Sequence, residues 1–288
     1  MTQSHTPDTR EEAASKLPAL HVLMVMGWQY LSATAALAMR GSERAVLLEP
    51  VLRERLAAHR FDYKGQRYPL SAGGIDQVVR QIASTGLNEG LIPANEAIYT
   101  HLTLGITVTE FVDGQRTSVT VPLIDWADVD ANTFHVTEEL SVERPAGMGR
   151  FRPDVVCYIN GIPLVVIEAK RPVSSTKDKA MVAEGISQHL RNQKSDGIQD
   201  LYAYSQLLLS ISGTDGRYAT TSTPAKFWSS WTEEEIPEAE MQRIKSTPLT
   251  TTQATALFAD KPNWMQSDFE RLHSGPVMAT EQDRLIIS

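Results

Sequence analysis

Residues Arg152 to Pro172 read RPDVVCYINGIPLVVIEAKRP, and this stretch decides the fold. Two apolar runs, Asp154 to Asn160 and Leu164 to Lys170, flank the dipeptide Asn160-Gly161, the pattern of a β-hairpin in or near the centre of a sheet. Such strands are poor places for charge, because an unpaired buried ion is strongly destabilising. Yet Asp154 opens one run, and Glu168 and Lys170 close the other. Strand alternation puts Glu168 and Lys170 on one face and Ala169 on the other. Register decides whether Asp154 joins them. A strict two-residue turn pairs Ile159 with Ile162 and Asp154 with Ile167, which throws Glu168 to the opposite face. An extra residue, such as a bulge beside Gly161, or a bend at Pro153, brings Asp154 to Glu168 instead. A convergent site therefore requires an irregular hairpin.

Two convergent carboxylates and an ammonium group form a hydrolytic set. The carboxylates are hard oxygen ligands suited to a magnesium ion, which keeps several waters and accepts phosphate oxygen. Such an ion polarises a phosphodiester and lowers the pKa of bound water. Lys170 is placed to orient that water or to offset charge in the transition state. A Glu-x-Lys strand end taken alone is better explained as a salt bridge at a sheet edge. The Pro153-Asp154 pair opening the preceding strand, with apolar runs between, reverses that preference.

Pro153-Asp154, thirteen intervening residues and then Glu168-Ala169-Lys170 resemble the PD-(D/E)xK nuclease motif. Asn132-Thr133-Phe134-His135-Val136, the phrase from Arg152 to Pro172, and Thr223-Pro224-Ala225-Lys226-Phe227-Trp228 extend the likeness. Together they resemble the N-terminal nuclease domain of the type I restriction enzyme R subunit, from about Gly105 to Trp231 and more loosely upstream. Thr280-Glu281-Gln282-Asp283-Arg284-Leu285 also resembles the linker into that family's motor. The resemblance implies Asp154 and Glu168 as metal ligands, Lys170 as the catalytic lysine, and the Ala169 carbonyl as a further metal contact. It implies a Gln-xxx-Tyr motif on the next helix. Gln188 fills the first position, but Asn192 stands where tyrosine is usual and offers no ring for stacking. Gln188 and Asn192 share a helix face at i and i+4, which a solvated polar face would also explain. The implied activity is that of a type I site-specific deoxyribonuclease with Mg2+ as cofactor. ATP-driven translocation would belong to a motor absent from this chain, and double-stranded DNA and the modification and specificity subunits would be partners. Two rivals stand beside this: a free-standing structure- or end-specific nuclease of the same fold, and an assembly or DNA-clamping module with an inert site.

Charge agrees with a phosphate-facing segment. The chain carries a net charge of -8, but residues 150–194 hold eight lysines or arginines against four acids. Arg152, Arg171, Lys177, Lys179 and Arg191 are therefore the candidate DNA contacts, with a solvated basic face as the alternative.

The rest of the chain supplies context. At 288 residues, 42% of them hydrophobic, it has ample material for a core. Its single cysteine, Cys157, excludes an internal disulfide framework and a multi-thiolate zinc site, and reads as an inert core residue. Seven histidines lack metal-ligand spacing, and His189 reads as a surface helix residue. Neither a Gly-x-Ser-x-Gly elbow nor a phosphate-cradling Gly-rich loop is present. The apolar stretch Leu17 to Met39 lacks the positive start of a signal peptide and is split at Trp28-Gln29-Tyr30. It reads as a buried helix ending near Gly27 and then an extended segment, in a cytoplasmic protein with no membrane span. Helices are expected over Ala45 to His59, where Pro50 kinks or starts the element, over Ser71 to Ala83 and over Ala94 to Leu104, with Phe61 to Leu70 as a loop. Ile106 to Val112 and Thr117 to Ile124 form a hairpin about Asp113-Gly114. Strands follow at Phe134 to Val142, Leu207 to Ser212, Arg217 to Thr221 and Lys226 to Trp231, with helices at Ala180 to Asn192, Gln199 to Tyr204 and Thr251 to Phe258.

The expected fold is α/β, a restriction-endonuclease-like core with a mixed central sheet flanked by helices. Residues 1–16 are expected to be a flexible terminus, 17–231 the nuclease domain, and 232–288 a linker towards the absent motor. The chain ends on Leu285-Ile286-Ile287-Ser288, an apolar rise that reads as an unfinished element, so a fragment is expected.

Overall fold

The computed structural model describes residues 12–172, 181–231, 236–259, 261 and 280–288. A π-helical turn, Glu12–Lys16, runs into α1 (Leu17–Val25), whose residues Leu17, Ala19, Leu20, Val22, Leu23 and Met24 are all buried. A helix apolar on every side belongs inside a core. No helix among the described residues is long and apolar enough to cross a membrane. Gly27, at φ 101°, turns the chain into β1 (Gln29–Leu31). Next comes α2 (Ala33–Arg40), capped by Ser32 Oγ, which accepts from Ala35 N at 3.1 Å. In α3 (Glu49–Ala58) Pro50 lies in the first turn, where its missing N–H has no partner to lose, so it starts the helix rather than kinking it.

The segment read as a loop is instead a short hairpin of β2 (Arg60–Tyr63) and β3 (Gln66–Pro69), turned by Lys64 and Gly65 at positive φ. Most of its side chains are exposed or half-buried, so no apolar alternation marks it. There follow α4 (Ala72–Ala83), α5 (Leu91–Leu104), and the hairpin β4 (Ile106–Val112) and β5 (Gln115–Val121). Then come β6 (Phe134–Glu138), the two-residue strands β7 (Val142–Glu143) and β8 (Arg150–Phe151), β9 (Val155–Ile159) and β10 (Ile162–Ala169). The chain continues through α6 (Met181–Asn192), α7 (Gln199–Tyr204), β11 (Leu207–Ile211) and β12 (Gly216–Ala219). Lys226 to Trp231 does not form the expected strand. Pro224 leads into a single 3-10 turn, Ala225–Phe227, and one isolated bridge joins Tyr218 to Ser229.

The fold is α/β, with a mixed six-stranded sheet ordered β1-β6-β9-β10-β11-β12. β1 runs parallel to β6 and β10 parallel to β11, while the other neighbours are antiparallel. Strand alternation sends Val156, Tyr158, Val166 and Leu208 into a core shared with α3, α4, α5 and α7. Val155, Cys157, Ile167 and Leu209 enter a second core on the other face, built with α1. That second core also takes residues from the C-terminal part, through α8 (Glu238–Ser246), α9 (Thr251–Phe258) and α10 (Glu281–Ile287). Gln282, buried in α10, accepts a hydrogen bond from Ser15 Oγ at 2.9 Å, and Asp283 is paired with Lys245 at 2.5 Å. Segments acidic or Thr-rich enough to resemble linker thus close one face of the sheet.

The turn between β9 and β10 is fixed on all sides. Asn160 and Gly161 both take left-handed conformations, φ 50° and 82°, as a two-residue hairpin turn requires. Asn160 is fully buried, and its Nδ2 donates to Leu123 O and to Asn132 Oδ1, each at 2.8 Å, while its Oδ1 accepts from Thr133 N at 2.8 Å. Leu48 N, at the start of α3, donates to Gly161 O at 2.8 Å, and a Cβ on Gly161 would lie 2.5 Å from Leu48 O. Asn160→Ala strips three buried bonds from a residue already in a disfavoured conformation. It is expected to cost about 3–5 kcal/mol, read as a shift in the urea midpoint.

Candidate functional site

The irregularity that convergence requires lies three residues past Gly161. β9 and β10 pair Ile159 with Ile162 and Tyr158 with Pro163, and then Cys157 with Val165, so Leu164 is the extra residue. Beyond this bulge Val156 faces Val166 and Val155 faces Ile167, which carries Asp154 up to Glu168. The two acids and Lys170 meet at the end of the central strands. Lys170 Nζ is 3.3 Å from Asp154 Oδ2 and 3.8 Å from Glu168 Oε2, and the three side chains are 4%, 14% and 1% exposed. Asp154 Oδ2 also accepts from Ala169 N at 2.8 Å, taking the place of a backbone carbonyl where the ladder ends. Lys170 Nζ donates to Ala169 O at 2.8 Å, and Lys170 N to Ile211 O at 2.8 Å, so the lysine is held at both ends.

The electrostatics are unbalanced. Burial pushes the Glu168 carboxyl well above the usual carboxylate range, the neighbouring Asp154 charge pushes it further, and Lys170 offsets only part. Glu168 Oε2 is buried with no hydrogen-bond donor. A buried carboxylate oxygen without a donor, facing a second carboxylate, suits a cation. The donor set is all oxygen: Asp154, Glu168 and the carbonyl of Ala169. Among the described residues no group of three or more His, Cys, Asp or Glu side chains gathers to hold a metal. Two carboxylates and one carbonyl are fewer ligands than a hard cation takes, the remainder being commonly water or phosphate oxygen.

Helix α6 covers the site because it carries a glycine where it crosses the strands. A Cβ on Gly185 would sit 2.2 Å from Ser210 Oγ and 3.4 Å from Glu168 Cβ, so any side chain there would push the helix away. Ser210 Oγ in turn donates to Val182 O at 2.7 Å and ties α6 to β11. The close approach delivers Asn192, 1% exposed, whose Nδ2 donates to Glu168 Oε1 at 3.5 Å. A solvated helix face is thus excluded for Asn192. Gln188, one turn earlier, is half-buried, and its Oε1 is buried without a partner.

His189 overturns the surface position read from its polar neighbours. It is fully buried, hydrogen-bonded to Tyr202 Oη at 3.0 Å and to Leu209 O at 2.9 Å, and its ring lies 5.2 Å from that of Trp228. Among the candidate phosphate contacts, Arg152, Arg171 and Arg191 are exposed, each within two residues of a site side chain. The Arg191 guanidinium lies over the Phe151 ring at 4.6 Å and donates to Asn192 Oδ1 at 3.3 Å. Lys177 and Lys179 lie outside the described residues. Cys157 is buried, with its thiol pushed far up by burial, in keeping with an inert core residue. Sequence reasoning missed Tyr202 and Phe151, since an apolar helix and a short edge strand give no sign of what their rings approach.

Residues 8–227 match the family described as type I restriction enzyme R protein N terminus. The HindI type I restriction enzyme endonuclease subunit of Haemophilus influenzae is 26% identical over 217 residues, covering 74% of this chain and 19% of that protein. Two Methanocaldococcus jannaschii proteins, the putative type I restriction enzyme MjaIXP and MjaVIIIP endonuclease subunits, are also similar. The first is 32% identical over 126 residues, 43% of this chain and 12% of its own length. The second is 28% identical over 180 residues, 61% of this chain and 15% of its own length. The chain spans less than a fifth of the length of these relatives.

Proposed function

The chain belongs to the type I restriction enzyme R protein N-terminal family, and from that premise we propose that it is the metal-dependent DNA-cleaving part of an R subunit. The observation that carries the reading is the convergence of Asp154, Glu168 and Lys170 through the Leu164 bulge, in a strand pair otherwise filled with apolar residues. Asp154, Glu168 and the Ala169 carbonyl would hold Mg2+. When bound, that ion supplies Lewis-acid polarisation of a phosphodiester and a nucleophilic water at neutral pH. Lys170 holds its ammonium beside both carboxylates, where it orients the attacking water and offsets negative charge as the phosphorus becomes five-coordinate. Gln188, with an unpartnered amide oxygen, accepts a hydrogen bond from that water or from a neighbouring group on the DNA. Arg152, Arg171 and Arg191, with Lys177 and Lys179, contact phosphates along the duplex without reading sequence. Sequence recognition belongs to a specificity subunit, methylation to a modification subunit, and ATP use to a motor elsewhere in the R subunit. A cytoplasmic location follows from the same reading.

Asp154→Ala in the full-length subunit, assembled with its partners, tests this. Cleavage of plasmid DNA is expected to be lost while ATP-driven translocation persists. Unchanged cleavage would leave the fold as a clamping or assembly module.

A further inference from the structure

Asn192, the last residue of α6, is fixed through both its backbone and its side chain. Its carbonyl accepts from Ile198 N at 2.8 Å, and Gly197 packs so closely on it that a Cβ there would lie 2.2 Å from Asn192 O. A residue without a side chain is what lets the chain fold back over the helix end at this distance. The buried amide then meets the carboxyl of Glu168, its Nδ2 donating to Oε1 at 3.5 Å.

Charge sets the direction of that amide. Its Oδ1 accepts from Arg191, with Nη2 at 3.3 Å and Nε at 3.4 Å. A flipped amide would turn oxygen towards the Glu168 carboxylate and NH2 towards the guanidinium, so both neighbours favour the observed orientation. Arg191 is held in turn. Its guanidinium lies 4.6 Å from the centre of the Phe151 ring, which also carries the guanidinium of Arg144 at 4.4 Å. Arg144 is tied down at three nitrogens, Nε donating to Asp196 O at 2.7 Å, Nη1 to Met148 O at 3.0 Å and Nη2 to Asp196 Oδ2 at 3.1 Å. An exposed arginine is thereby given one position beside the site.

The two oxygens of Glu168 are consequently unequal. Oε1 takes the Asn192 hydrogen, whereas Oε2 is buried without a hydrogen-bond donor, 3.8 Å from the Lys170 ammonium that also meets Asp154. We propose that Asn192 is a positioning residue for Glu168: its amide, aimed by Arg191, holds Oε1 and leaves Oε2 as the oxygen offered to the metal. The proposal rests on the nuclease reading above, and it gives the residue that departs from the resembled motif a task at the site. Groups that orient a ligating carboxylate typically contribute tenfold to a hundredfold in metal affinity or activity.

The test is Mn2+ affinity in the 288-residue chain without DNA, read from the electron paramagnetic resonance signal of the free ion. Asn192→Leu removes the donor and leaves the charge of the site unchanged, so a change in affinity is not a change in field. It is expected to bind Mn2+ about tenfold more weakly than the wild type. A residue that only contacts DNA would leave the DNA-free affinity as it was. A residue that only fills space would lower the number of sites and the near-ultraviolet circular dichroism, but not the affinity of the folded molecules. Either result overturns the proposal. Arg191→Lys, at an exposed position, keeps the charge but loosens the grip on Oδ1, and is expected to lose about threefold in affinity. It decides the matter if Asn192→Leu does not fold, and wild-type affinity there overturns the proposal as well. Asp154→Ala, titrated alongside, separates the two readings. Undiminished binding by Asp154→Ala, or none by the wild type, defeats the metal site itself, whereas lost binding beside a wild-type affinity for Asn192→Leu defeats the role of Asn192 alone.

Discussion

Lys170→Met is expected to reduce DNA cleavage by the assembled enzyme at least a hundredfold while leaving metal binding in place. The ammonium is the one cationic group within 4 Å of both carboxylates among the described residues, at 3.3 Å from Asp154 and 3.8 Å from Glu168. Removing a single preorganised donor from a developing oxyanion costs about 10²–10³ in rate, and Lys170 additionally positions the nucleophile. Lys170→Arg is not expected to rescue. The lysine is 4% exposed and donates to Ala169 O at 2.8 Å, a fit that a planar guanidinium of larger reach does not reproduce. Methionine keeps the unbranched stem and leaves the two acids without their counter-charge, which raises the affinity of the site for a divalent cation. Calorimetry with Mn2+ and a gel-based cleavage assay on the same preparation check both halves. Cleavage within threefold of wild type would remove Lys170 from the chemistry and leave it as a structural ion pair.

The sequence was informative where residue type alone decides the outcome. Asn160-Gly161 marks its turn because few other dipeptides accept two left-handed residues, whereas Pro50 narrowed its helix only to a kink or a start, and the structure places it in the first turn of α3. The register of the central hairpin was not legible in the same way. Ile162 to Ile167 is apolar at every position, so the pattern carries no phase, and only the bulge at Leu164 determines which face Glu168 occupies. Nor could composition show that α8 packs on α1 and Thr-rich α9 on β1, since each offers only two buried side chains, Met241 and Ile244 in one, Ala254 and Leu257 in the other. His189 shows the reverse error. Its neighbours Gln188 and Arg191 describe a polar face, yet its burial depends on the Leu209 carbonyl twenty residues later, which only the folded sheet brings beneath it.

Glu168→Gln is expected to stabilise the metal-free protein while abolishing metal-dependent cleavage. In the folded state Glu168 is hard to ionise, first because it is buried and second because Asp154 stands beside it. A carboxyl whose folded pKa lies above its unfolded value contributes its full stability below about pH 4.5, and that contribution is lost as the pH rises through the folded value. Glutamine carries no such dependence. The two proteins should therefore melt alike near pH 4 and diverge towards neutrality, where the variant gains on the order of 0.5–2 kcal/mol. Divalent cation reverses the order, because it binds the folded wild type and stabilises it by about 2.7 kcal/mol at a hundredfold excess over its dissociation constant, and glutamine offers it a poorer ligand. Thermal melts at pH 4, 6 and 8, with and without Mn2+, measure both effects. A variant less stable than wild type at pH 8 without metal would mean that Glu168 serves the fold as the partner of Lys170. The gain that this substitution is expected to bring is the stability that burying an ionisable carboxyl, beside the second carboxyl of Asp154, withdraws from the metal-free fold.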